Sequence, residues 1–210
     1  MTDKIDLKKS VDSYRAQRGQ FRVLDVPELQ YLMIDGHGDP NTATFTTAVE
    51  SLYPVAYTLK FASKKQLGRD YVVPPLEGLW WADDMAAFTT ARDKSTWDWT
   101  LMLLVPDWID AAMVTGAIAT VEKKRPPARL ADVRWEQLAE GRCVQTLHIG
   151  SFDAEAEVLA QLHHEFIPAH GLQLAGTHHE IYLSDVRRTA PERLRTVLRQ
   201  PVTVAGDADR

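Results

Sequence analysis

Tyr31-Leu-Met-Ile-Asp-Gly36 near the front of the chain and Cys143-Val-Gln-Thr-Leu-His-Ile-Gly150 near the back are the stretches on which the fold turns. Each is an apolar run that closes on a glycine. Each is followed by a short polar loop, an amphipathic stretch and a second strand: Pro75-Leu-Glu-Gly-Leu-Trp-Trp81 in the first case, His178-His-Glu-Ile-Tyr-Leu183 in the second. Both second strands carry a glutamate just before their aromatics. Two copies of one unit tend to close around a shared cleft, so Glu77 and Glu180 are expected to face one ligand. Strands and helices alternate without the glycine fingerprint or regular spacing of a nucleotide-binding parallel sheet. That order predicts an α+β fold with antiparallel sheets.

Working outward, residues 1–28 are polar and mixed in charge, with a short helix expected over 6–17 and no helix-turn-helix spacing. The first strand is expected over 28–35, stopped by the turn formers Gly36-His-Gly-Asp-Pro40. A helix follows, capped at Thr42 or Thr44 and carrying Phe45, Val49, Leu52, Ala56 and Leu59 near a period of 3.6. Pro54 lies within it and is expected to bend or interrupt it. Pro74-Pro75 should divide two short strands across 70–81. Trp97–Val105 reads as a long buried strand, and a helix is expected from Pro106-Asp107 to about Lys124. The basic, Pro-rich stretch 123–129 is the expected linker. These boundaries give an N-terminal extension (1–28), a first module (29–124), a second module (130–201) and a frayed tail (202–210). Within the second module a strand is expected over 142–149, a helix from Asp153 to about His170 stopped by Gly171, a strand over 172–184 broken near Gly176, and an amphipathic segment over 190–199.

The composition narrows the function classes. The 210 residues are 45% apolar, enough to bury a full core, and the net charge is −5. An acidic chain argues against a nucleic-acid partner. The longest apolar run, Leu101–Val105, is too short to cross a bilayer. A single cysteine, Cys143, excludes an internal disulfide and suits a reducing compartment, and the N-terminus lacks the apolar core of a secretion signal, so a cytoplasmic location is expected.

Strand alternation puts His178, Glu180 and Tyr182 on one face and His179, Ile181 and Leu183 on the other. A carboxylate between an imidazole and a phenol in an otherwise apolar strand is either paired, with Arg187 or Arg188 as candidates, or used in binding or chemistry. Trp80, Trp81, Trp97 and Trp99 fall within twenty residues. Some are core, and others are candidates to line a pocket for a planar ligand beside Glu77. His163-His164 diverge around a helix and His178-His179 across a strand, so the spacing offers no metal site and no cofactor is expected. No Gly-x-Ser-x-Gly is present, and Cys143 sits mid-strand as a buried, inert thiol.

Val26-Pro-Glu-Leu29, Met33-Ile-Asp-Gly-His-Gly-Asp-Pro-Asn41, Tyr57-Thr-Leu-Lys-Phe61, Pro75–Trp81, Leu147-His-Ile-Gly150 and His179-Glu-Ile-Tyr-Leu-Ser-Asp185 together resemble the gyrase-inhibitor-like small-molecule-binding family across nearly the whole chain. The resemblance implies a tandem pseudo-twofold pair of strand-helix-strand-strand modules with a ligand cleft between them. It places the family's central drug-binding glutamate on Glu180. Through Gly-Leu-Trp-Trp the chain is most similar to a stand-alone subfamily of cyclopropanoid cyclopropyl hydrolases, which open the strained ring of DNA-alkylating natural products. That implies a hydrolase acting on a planar aromatic small molecule, with Trp80, Trp81 and Tyr182 in an aromatic cage joined by Tyr57 and Trp97. Glu180 would deprotonate the attacking water, and Tyr182 would hydrogen-bond the dienone oxygen. Glu77 and His178 complete the expected ligand contacts. The alternative is a non-catalytic module that sequesters planar or cationic drugs; a third reading is an inhibitory protein acting on a macromolecule.

Overall fold

The computed structural model describes residues 4–83 and 93–205. Along the chain run α1 (Leu7–Ser10), β1 (Arg22–Val26), β2 (Leu29–His37), α2 (Ala43–Leu67), β3 (Leu76–Trp81), β4 (Asp98–Val105), α3 (Ala111–Glu122), β5 (Arg134–Leu138), β6 (Gly141–Ile149), α4 (Glu155–Ala160), α5 (Ile167–Ala169), β7 (Leu172–Leu174), β8 (His178–Tyr182) and β9 (Arg195–Val204). The fold is α+β and its strand ladders are antiparallel, as the alternation of elements predicted.

The chain divides into two compact units. The N-terminal residues through Val11 join Leu29–Leu138 in the first, and Asp12–Glu28 joins the chain from Ala139 onward in the second. The division after Leu138 falls beyond the basic, Pro-rich stretch, because β5 pairs back onto β2 of the first unit. The N-terminal segment is not a separate extension either: β1, which the polar composition hid, pairs with β6 throughout.

In the first unit the strand order is β3-β4-β2-β5, and α2 lies against β2 and β4 with α3 packed along it. α2 runs unbroken through Pro54. Ala48, Leu52, Val55, Ala56 and Leu59 are buried along one side of it. That continuous apolar stripe holds the helix across the one backbone donor that proline removes. Gly36 is required for packing, since a Cβ there would come within 1.9 Å of the Trp99 ring. The Trp99 indole N–H donates to Gly38 O at 3.1 Å. Asp110, not Pro106-Asp107, caps α3, its carboxylate accepting from Met113 N at 2.8 Å. The two strands expected on either side of Pro74-Pro75 reduce to β3 and a single bridge from Ile5 to Tyr71.

In the second unit the order is β1-β6-β9-β8, with β7 on the far end of β9. β9 runs to Val204, past the point where the tail was expected to fray, and 206–210 lie outside the described residues. Partners in an antiparallel ladder share a face. Tyr182 pairs with Thr196 and Glu180 with Leu198, while His148, Thr146 and Val144 pair with Thr196, Leu198 and Gln200. The helical stretch from Glu155 covers this face, and Val144, Leu162, Ile167 and Val202 form its apolar core. Between α4 and α5, residues Gln161–Phe166 wind as a π-helix, with Ile167 N reaching back to Leu162 O. Pro168 has no N–H for the regular α ladder, which accounts for the looser winding just ahead of it.

Candidate functional site

β8 delivers three polar side chains to the helix-covered face, because period-2 alternation places His178, Glu180 and Tyr182 together while His179 and Ile181 turn to the other side and are fully buried. Tyr182 donates its phenolic hydrogen to Glu180 Oε2 at 2.8 Å. His178 Nε2 lies 3.5 Å from Glu180 Oε1, and the two side chains keep only 10% and 14% of their surface exposed. The carboxylate therefore accepts from Tyr182 and has an imidazole beside it, in a largely dry setting. Arg187 and Arg188, the alternative partners for Glu180, sit on Asp185 instead.

A second carboxyl group completes the cluster. Glu155, in the first turn of α4, is 3% exposed. Burial, and next the negative charge of Glu180, push its pKa up to about 10, with the Thr196 hydroxyl opposing only part of the rise. Glu155 is therefore a neutral acid at physiological pH. Its Oε1 is buried without a hydrogen-bond partner among the described residues. The sequence reading missed Glu155 because an acid in a first helical turn ordinarily serves the helix dipole in solvent. The signal was its place seven residues before Leu162, on the apolar stripe of the helix.

His163 and Phe152 border the same cluster. The His163 ring meets the His178 ring edge-on at 6.1 Å. Burial first, and then the charges of His178 and His164, lower its pKa to about 4, so it stays neutral. The Phe152 ring, 43% exposed, meets Tyr182 in a T-shaped contact at 5.6 Å. No group of three or more His, Cys, Asp or Glu side chains among the described residues is arranged to hold a metal ion.

The remaining sequence candidates lie in the first unit. Trp80 is buried, stacked at 6.1 Å on Phe45 and edge-on to Trp97 at 5.7 Å. Trp81 points to the opposite face of β3 and is part exposed. Lys94 Nζ lies 5.7 Å over the Trp97 ring. Tyr57 stands exposed on α2 beside Tyr53, their rings 6.2 Å apart. Glu77 is 1% exposed. It lies on the face of β3 away from Trp80 and Phe45, whereas Glu180 faces the helix of its own unit, so the two glutamates are not equivalent. Cys143 is fully buried, with burial as the main cause pushing its thiol up to about 12, which makes it the inert core thiol expected. No helix among the described residues is long and apolar enough to cross a membrane.

A profile of the GyrI-like small molecule binding domain matches residues 19–203. No protein of curated function matches the chain. Among solved structures, an uncharacterised conserved protein from Listeria innocua is 38% identical over 95% of this chain and all of its own length, with a TM-score of 0.87. A hydrolase from Listeria innocua is 37% identical over 95% of this chain and all of its own, with a TM-score of 0.83. A further structure of a hydrolase from that organism is 37% identical over 96% of this chain and all of its own, with a TM-score of 0.84.

Proposed function

The chain belongs to the GyrI-like small-molecule-binding family, and on that premise we propose that it is a hydrolase that adds water across the strained ring of cyclopropane-containing, DNA-alkylating small molecules and so detoxifies them. One observation carries the reading: Glu180 is oriented by Tyr182 and His178 beside a second carboxyl, Glu155, that burial and charge keep neutral. A carboxylate beside a carboxyl that its surroundings keep neutral is the usual apparatus for moving a proton near pH 7. The similarity to Listeria innocua hydrolases over nearly the whole chain supports the hydrolase part of this reading.

A cyclopropane conjugated to a dienone is already an electrophile, so the protein need supply only orientation and a base. Glu180 Oε2 holds the tyrosine hydroxyl, and Oε1 takes a proton from water aimed at the ring carbon. The new C–O bond forms as the ring C–C bond breaks, and the electron pair moves onto the dienone oxygen, giving a phenolate. Tyr182 donates to Glu180 and so positions the base, a different task from the contact with the dienone oxygen expected of it or of another phenol. Glu155, being neutral, adds no second negative charge beside the base. The exposed ring of Phe152, edge-on to Tyr182, offers a flat surface for a planar ligand beside Glu180. His178 remains its proposed polar contact.

The test is a chromatographic time course of a spirocyclopropyl-dienone alkylating agent with substoichiometric protein, wild type beside Glu180→Gln. Ring-opened hydrate should accumulate over many turnovers and slow by roughly a hundredfold or more in the variant. Substrate recovered intact but bound would leave a drug-sequestering module. Equal turnover in Glu180→Gln would remove Glu180 as the base.

A further inference from the structure

Three histidines extend from the Glu180 carboxylate to the surface of the second unit. His178 Nε2 stands 3.5 Å from Glu180 Oε1. The His163 ring lies 6.1 Å beyond the His178 ring, and the His164 ring 6.4 Å beyond that. Exposure rises along the series, from His178, nine-tenths buried, through part-buried His163 to exposed His164. While His178 Nε2 faces the Glu180 carboxylate, Nδ1 of His178 and Nε2 of His163 are buried with no hydrogen-bond partner among the described residues. Imidazole nitrogens in a core are ordinarily satisfied, so two orphaned ones in adjacent rings need a reason. The backbone beneath them is unusual as well, since His163 and His164 lie within the π-helical stretch, a winding that recurs at functional sites.

We propose that His178 and His163 form a proton path that carries the proton collected by Glu180 out to solvent at His164. The inference rests on the hydrolase reading and adds how the site resets. In each turnover water gives its oxygen to the ring carbon and one proton to Glu180, and the ring bond's electron pair leaves as phenolate. The proton then passes from Glu180 to His178 and His163 and leaves at the surface, while the phenolate takes one proton from solvent. One water is consumed and no proton is gained or lost overall. His163 is faced by His178 from β8, by the Gln200 side chain from β9 and by its own neighbour His164. In that company it stays neutral, so it passes a proton on without retaining it.

The test is His163→Phe, which keeps an aromatic ring and removes the nitrogens. With protein in excess over a spirocyclopropyl dienone, the first ring opening should keep the wild-type rate, because Glu180 begins unloaded. Under multiple turnover kcat should fall about tenfold with KM unchanged, and added imidazole should restore it. Undiminished kcat, or first and later turnovers slowed alike without rescue, would overturn the path. A second measurement needs no substrate: solvent exchange of the His178 ring N–H, read by 15N NMR, should slow about tenfold in His163→Phe, and an unchanged rate would overturn the path. If His163→Phe does not fold, His163→Gln takes its place in both measurements. Wild type that opens no ring would defeat the hydrolase reading, and the exchange measurement would still judge the path.

Discussion

The two faces of the β8–β9 ladder place buried ionisable groups a single residue apart and treat them in opposite ways. On one face, Arg199 donates to Glu140 Oε2 at 2.6 Å, to Gln145 Oε1 at 3.0 Å and to Ser13 O at 2.6 Å, and His179 Nδ1 lies 2.9 Å from Glu140 Oε1. On the other, Glu180 accepts from Tyr182 with His178 beside it, while Glu155 Oε1 and His178 Nδ1 find no hydrogen-bond partner among the described residues. Burial tends to raise both Glu140 and Glu155. For Glu140 the charges and hydrogen bonds of His179 and Arg199 outweigh burial and hold the carboxyl down at about 2. For Glu155 burial and the like charge of Glu180 act together and lift it to about 10. The first face fixes the N-terminal segment and three elements of the second unit in one arrangement. The second leaves polar atoms without protein partners among the described residues, which the proposed chemistry would use. Burial alone does not tell a structural carboxylate from a working one; the partners decide.

The contrast can be broken most forcefully at Arg199. Arg199→Met leaves Glu140 buried without its guanidinium, and unfolding in urea should show a loss of about 3–5 kcal/mol. A loss close to zero would mean that the network does not hold the fold. Glu155 should behave in the opposite sense. Its folded pKa lies above its ordinary 4.5, so its contribution to stability is present in acid and is lost as pH rises toward about 10. Glu155→Gln should therefore flatten the alkaline fall in melting temperature and make the protein more stable at neutral pH. The same variant should leave the acid limb alone, because that limb belongs to Glu140, whose stabilisation is present above 4.5 and lost as pH falls toward about 2. The smallest effect is expected at Tyr182→Phe, which removes the hydrogen bond to Glu180 Oε2. It should lower kcat about tenfold with little change in KM or melting temperature.

Much of this contrast could be read from the residues, and the rest was hidden for definite reasons. Alternation along His178–Tyr182 gave the correct face to each side chain, since a strand buried on both sides still obeys its period of two. Glu140 sits in the turn between β5 and β6, ahead of Gly141 at φ 65°. There it reads as an ordinary hairpin polar residue, and only the long-range ladder brings Arg199 to it. β1 was hidden by the polar composition around it. Arg195–Val204 reads as amphipathic and becomes a central strand only because β6 and β8 flank it. The likeness between Glu77 and Glu180 in sequence did not survive in the fold, because pattern fixes spacing along a strand and not which face the helix covers. His163 and His164 were set aside on α-helical geometry, and in the π winding ahead of Pro168 His163 meets His178 while His164 stays exposed.

A 13C NMR titration of the glutamate side-chain carboxyls, in wild type and in Glu180→Gln, addresses the difference between the two faces most directly. The account predicts that Glu140 stays ionised down to about pH 2 and that Glu155 stays protonated through neutrality and titrates near 10, falling once the charge of Glu180 is removed. Glu155 titrating alongside the surface glutamates, unmoved by the substitution, would contradict it.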